Sequence, residues 1–137
     1  MTDHAGVPQL LRAVREWIND ERACGPDAAS RHAARIATNL LDIIARELEI
    51  GPRLRASERL RLAALLGRDA DLEALNEALC AKIAAGAIDV DDPHLLNHLR
   101  LTALGKLAID NPGYWSYRRA AARVGFNDSS LPVSAEI

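Results

Sequence analysis

Residues 35–50 carry the clearest structural pattern in the chain and read RIATNLLDIIARELEI. Apolar side chains recur in this segment every three or four positions, which is the repeat of one face of an α-helix; they are Ile36, Leu40, Ile43, Ile44 and Leu48. Gly51 and Pro52 follow directly, and such a pair typically ends a helix. The segment therefore predicts an amphipathic helix that stops at Gly51.

The same repeat predicts helices on both sides of this segment. The first spans 8–22, Ser30 or Asp27 caps the second, and Ser57 caps a short third helix that Gly67 ends. A fourth helix is predicted between Asp71 and Gly86, a fifth from Pro93 to Asp110, and a short sixth over 114–124. Because the links are brief and bounded by Gly and Pro, the chain is predicted to form an all-α antiparallel bundle of about five helices with a short sixth.

The composition supports a helical, water-soluble chain. Its 137 residues are 49% hydrophobic and 26% charged, with a net charge of −2, which predicts one globular domain over 1–137, with a core at 8–112 and an appendage at 113–137. Alanine and leucine dominate and exclude a mostly-β fold. Neither a membrane-spanning run nor a signal peptide is recognisable, so we expect a cytoplasmic protein with no membrane or nucleic-acid partner.

The residues that commonly carry chemistry form no familiar catalytic pattern. Cys24 and Cys80 are widely separated, and Cys80 is expected to be a small buried hydrophobe. His94 and His98 share one helix face but lack the glutamate of zinc proteases, so two solvated histidines are expected and no metal site. Phosphate-binding loops and hydrolase elbows are also missing from the sequence. We therefore predict no catalytic residue and no cofactor, and a non-enzymatic role is favoured over an enzymatic one.

Polar side chains form a stripe along one edge of the second predicted helix, among them Arg35, Asn39, Asp42 and Arg46. This polar stripe allows two interpretations. In the first it is a solvated edge, and Lys106 reaches water or an ion pair with Asp42 or Glu47. In the second it borders a small anion-binding groove, in which Arg35 and Lys106 hold a phosphate or carboxylate and Asn39 orients it. The second interpretation makes these three residues the candidate ligand site.

The segment after Pro112 predicts a partner-binding patch. Its first part, residues 113–119, holds three of the five aromatic residues of the chain, followed by arginines. Tryptophan, tyrosine and arginine are the residue types that anchor protein interfaces. A protein partner or a second copy of the chain is therefore expected at Tyr114, Trp115, Tyr117 and Arg118. Stacking of single-stranded nucleic acid on these rings is a weaker alternative, because the basic footprint is narrow.

Three segments together resemble a known bacterial family: 35–52, 71–83 and 91–112. Its members are small all-helical domains of unknown function, often encoded beside or fused to aminoglycoside-phosphotransferase-like kinases and near acyl-CoA dehydrogenases. The resemblance spans 8–112 and implies a non-catalytic accessory or partner of such a kinase or acyl-CoA-linked enzyme. The alternative is a ligand-binding or enzymatic domain that acts on an anionic metabolite.

Overall fold

The computed structural model describes residues 7–22 and 27–126, and these ranges contain five α-helices and no strand. The helices are α1 (Val7–Arg22), α2 (Ala28–Leu66), α3 (Leu72–Ala84), α4 (Pro93–Asp110) and α5 (Trp115–Val124). The all-α class is confirmed, and the helix predicted over 114–124 exists as α5. The chain divides into two compact units, Met1–Glu49 and Ile50–Ile137, which are described separately below.

Carboxylates at the helix starts behave largely as the sequence predicts. Asp71 accepts a hydrogen bond from Ala74 N at 2.8 Å, and Asp92 accepts from two amides of the first turn of α4. At α2 the capping residue is Asp27, which accepts from Ser30 N at 2.6 Å and from Ser30 Oγ at 2.9 Å. These hydrogen bonds from Ser30 lower the pKa of the Asp27 carboxyl. Each cap satisfies amides that the helix itself leaves unpaired.

The predicted helix end at Gly51 is wrong, because α2 continues through Pro52 to Leu66. Ser57, expected to cap a third helix, instead accepts a hydrogen bond from Arg61 Nη1 at 2.8 Å inside α2. The apolar repeat continues past the proline, and packing of an apolar face outweighs local propensity. Pro52 itself is exposed.

The core of the second unit joins α2, α3 and α4. Its central buried side chains are Leu62, Leu75, Leu79 and Leu95. Gly105 of α4 allows a close approach, since a Cβ atom there would lie 3.0 Å from Leu54 Cδ2. Cys80 is exposed, so its predicted burial is wrong. Cys80 follows the buried Leu79 on α3. Because successive side chains of a helix are about 100° apart, Cys80 points away from the buried face.

The first unit consists of α1 and the beginning of α2, joined by polar contacts. Arg15 Nε lies 2.8 Å from Asp42 Oδ1, and Thr38 Oγ1 donates to Asn19 Oδ1 at 3.2 Å. Arg15 precedes Asn19 on α1, whereas its partner Asp42 follows Thr38 on α2, so the two helices are antiparallel. The apolar stripe of residues 35–50 is largely exposed: Ile36, Leu40, Ile44 and Leu48. The small side chain of Ala34 is buried instead.

Candidate functional site

The three residues of the predicted anion groove are distributed over both units. Arg35 lies on α2 in the first unit and lines a cavity of about 390 Å³ together with Asn19 and Arg31. Asn39 is exposed one turn further along the same helix. Lys106 lies on α4 in the second unit and is exposed to water. The grouping of Arg35, Asn39 and Lys106 in one site stays a prediction.

The predicted partner-binding residues lie around the start of α5. Tyr114 precedes the helix, and its ring meets that of Trp115 edge to face at 6.2 Å. Trp115 is 66% exposed and borders a cavity of about 520 Å³. We call this cavity the basic groove; its lining residues are Arg100 of α4 and Trp115, Ser116, Arg119, Ala120, Arg123 and Val124 of α5.

Within the basic groove the structure adds a residue that the sequence did not single out. Arg100 belongs to α4, and only the packing of α5 against α4 brings it beside Trp115. Tyr117 is half-buried and Arg118 is exposed, and neither lines the groove. Their role in partner binding stays a prediction.

A third cavity, of about 490 Å³, lies between α2 and α4 in the second unit. Arg61 enters it from α2 and donates to Ser57 Oγ at 2.8 Å and to Thr102 Oγ1 at 3.2 Å. His98 is only 3% exposed, so the expectation that it is solvated is wrong. It lies about one helical turn after the buried Leu95 and therefore on the same inward face. The remaining lining residues are Ala64, Leu65, Asp92, His94 and Asn97.

The environment of His98 disfavours its protonated form. Burial lowers the pKa of the His98 imidazole, the nearby Arg61 guanidinium lowers it further, and Glu58 partly opposes both. Its buried Nδ1 has no hydrogen-bond partner among the described residues. The two histidines do not form part of a metal cluster: over 7–22 and 27–126, no three His, Cys, Asp or Glu side chains are placed to hold an ion.

We expect the stability of the chain to fall as the pH drops through the region below about 6.5. There the unfolded chain binds a proton at residue 98, whereas the folded chain with its lowered pKa does not, so protons favour unfolding. The stabilising contribution of the lowered His98 pKa is fully present above about pH 7. Urea denaturation at pH 7.5, 6.5 and 5.5 measures it.

The control for this pH dependence is the exposed neighbour His94. His98→Gln is expected to flatten the decline between pH 7.5 and 5.5, whereas His94→Gln keeps the decline of the natural chain. An equally steep decline in the His98→Gln chain would contradict the assignment to His98.

The fold and these cavities place the chain among small all-α domains with polar clefts between helices. It belongs to the family described as "Domain of unknown function (DUF6285)", which matches residues 25–114. The match agrees with the resemblance to a helical family of unknown function, and it includes α2, α3 and α4. No curated protein and no solved structure is significantly similar to the chain. In the described ranges, no helix combines the length and apolar character that crossing a bilayer requires.

Proposed function

We propose that the chain is a non-catalytic assembly domain of the bacterial cytoplasm. Two copies pair through the first unit, and the pair serves as an accessory partner of a phosphotransferase-like kinase or an acyl-CoA-linked enzyme. The observation that carries the proposal is a set of large apolar side chains that are each about half exposed, between 46% and 55%. We call this set the apolar face; it comprises Val7, Leu10, Val14 and Trp17 of α1 and Ile36, Leu40, Ile44 and Leu48 of α2.

Both rows of the apolar face lie on the same side of the α1–α2 pair. On α1, Leu10, Val14 and Trp17 each come one position before a half-buried residue. On α2, Leu40 and Ile44 likewise each come one position before a half-buried residue. A step of one residue back turns a side chain by about 100°. In an antiparallel pair, this turn moves the side chains of both helices from the contact toward the same side of the pair. The two rows therefore form one continuous face.

The area of the apolar face suits pairing of two copies. At roughly 90 Å² for each half-exposed residue, its eight residues expose roughly 700 Å², close to the ~800 Å² that one partner contributes to a standard interface. The largest apolar patch of a typical monomer is smaller, about 300–600 Å². A second copy presents the same face, so one twofold contact covers both.

The identity of the enzyme partner is supported by the family resemblance. Members are often encoded beside or fused to aminoglycoside-phosphotransferase-like kinases and near acyl-CoA dehydrogenases. A domain without a recognisable catalytic pattern fits a supporting role beside such enzymes.

The pairing is tested by light scattering during size-exclusion chromatography of the full chain. We expect a mass twice the 14.9 kDa of one chain, and a return to one chain in Leu40→Glu, since a carboxylate would be desolvated at the contact. Leu60→Glu is the matched control, because Leu60 is equally exposed at 53% but lies in the second unit. A monomeric natural chain, or equal dissociation by both substitutions, would refute the pairing.

The accessory role is tested by coexpression with the phosphotransferase-like kinase and the acyl-CoA dehydrogenase encoded nearest to the chain. We expect one of them to coelute with the chain and to lose solubility or activity when the chain is omitted. If both enzymes elute separately and work equally well alone, the accessory role is wrong even where the chain pairs with itself.

A further inference from the structure

The geometry points to a second activity of the chain: the basic groove binds a nucleoside polyphosphate, with the base against Trp115 and the phosphates held by the surrounding arginines. These arginines are Arg100, Arg119 and Arg123. The inference does not depend on the proposed pairing, since every residue of the groove belongs to the second unit.

The groove gathers cationic side chains from two helices around one aromatic ring. Trp115, Arg119 and Arg123 follow one another at steps of four on α5, so they share one face of that helix. Arg100 completes the set from α4, which contacts α5. Three positive charges therefore converge on a single opening.

Among the described residues, no carboxylate pairs with these arginines. Within the part of the chain that the structure describes, the side chains of Arg100, Arg119 and Arg123 make no ion pair and no hydrogen bond. Elsewhere in the same unit, Arg59 pairs with Asp69, as is usual for exposed arginines near acidic residues. Three guanidinium groups that line one groove, with no partner among the described residues, favour an anion with several charges. Arginine forks match phosphate oxygens bidentately.

The exposed Trp115 indole indicates that the ligand has an aromatic part in addition to its negative charge. Trp115 leaves 66% of its surface open beside the arginines, although large apolar rings are usually buried. Bases of every kind stack on such rings. A ligand with a flat aromatic part and a polyanionic part uses both features of the groove.

The size of the groove and the charge of the chain favour a free nucleotide over a nucleic-acid strand. The cavity of about 520 Å³ is within the ~300–1,000 Å³ typical of small-molecule sites. Strand-binding proteins carry an extended basic surface, whereas this chain has a net charge of −2. The three arginines of the groove match the two or three phosphates of one nucleotide.

The test is calorimetric titration of the full chain with ADP, and separately with adenosine, with pyrophosphate and with a short oligothymidylate. We expect saturable binding of ADP that is at least tenfold tighter than that of adenosine or pyrophosphate, and that weakens as salt is raised. Arg119→Gln and Trp115→Leu should each weaken ADP binding about tenfold, because each removes one charge-assisted or stacking contact. Arg68→Gln, an exposed arginine outside the groove, should leave ADP binding unchanged.

Several outcomes overturn the inference. If ADP does not bind, the groove is not a nucleotide site. If pyrophosphate binds as tightly as ADP, the groove is a simple anion site to which the Trp115 indole contributes nothing. Oligothymidylate that outcompetes ADP assigns the groove to single strands instead. Equal weakening by Arg68→Gln would show that only net charge matters. The helical circular dichroism of each variant at 222 nm verifies that the chain remains folded.

Discussion

Leu75→Ala is expected to lower the free energy of unfolding of the second unit by about 2–5 kcal/mol. The Leu75 side chain is completely buried and packs in the cluster that joins α2, α3 and α4. Alanine removes its burial free energy and leaves a cavity, because the surrounding leucines can close it only in part. A domain of this size is stabilised by about 5–15 kcal/mol in total, so the loss is a large fraction.

Urea denaturation followed by circular dichroism measures this loss as a lower transition midpoint. Leu96→Ala serves as the control, since Leu96 is 43% exposed on α4 and the substitution leaves no closed cavity. We expect its effect to stay below about 1 kcal/mol. Equal midpoints for the two variants would show that the leucine cluster is not the main core of the second unit.

The parts of the fold that could be predicted from sequence are those that local chemistry determines. Asp71 and Asp92 cap helices because their carboxylates accept amide hydrogen bonds from residues two or three positions ahead. Gly86 follows α3 with a φ of 65°, a conformation that other residues rarely adopt. Leu75 and Leu79 are buried as their helical spacing predicts. Each of these features depends on neighbours within a few residues.

The features that could not be predicted depend on contacts between distant segments. The spacing of Leu40 and Ile44 defines an apolar stripe but does not say whether another part of the chain covers it. His98 is buried because its turn of α4 faces the same interior as Leu95, and Arg61 meets it from a different helix. The convergence of Arg100 with Trp115 likewise requires the packing of α5 on α4. Sequence periodicity therefore identifies the faces but not their partners.

Pro52→Ala is expected to raise the free energy of unfolding, by about 1–3 kcal/mol. Pro52 lies inside α2 and has no amide proton, so the carbonyl four positions earlier lacks its helical donor. Alanine supplies that donor and removes the clash of the proline ring. Because Pro52 is exposed, its replacement takes no side chain out of a core.

Pro93→Ala is the matched control for this gain. Pro93 is the first residue of α4, where an amide would have no helical acceptor, so its loss should change stability by less than about 0.5 kcal/mol or slightly reduce it. Chemical denaturation of both variants beside the natural chain separates the two cases. A decrease in stability for Pro52→Ala would contradict this expectation and show that contacts of the proline ring outweigh the helical hydrogen bond that alanine restores.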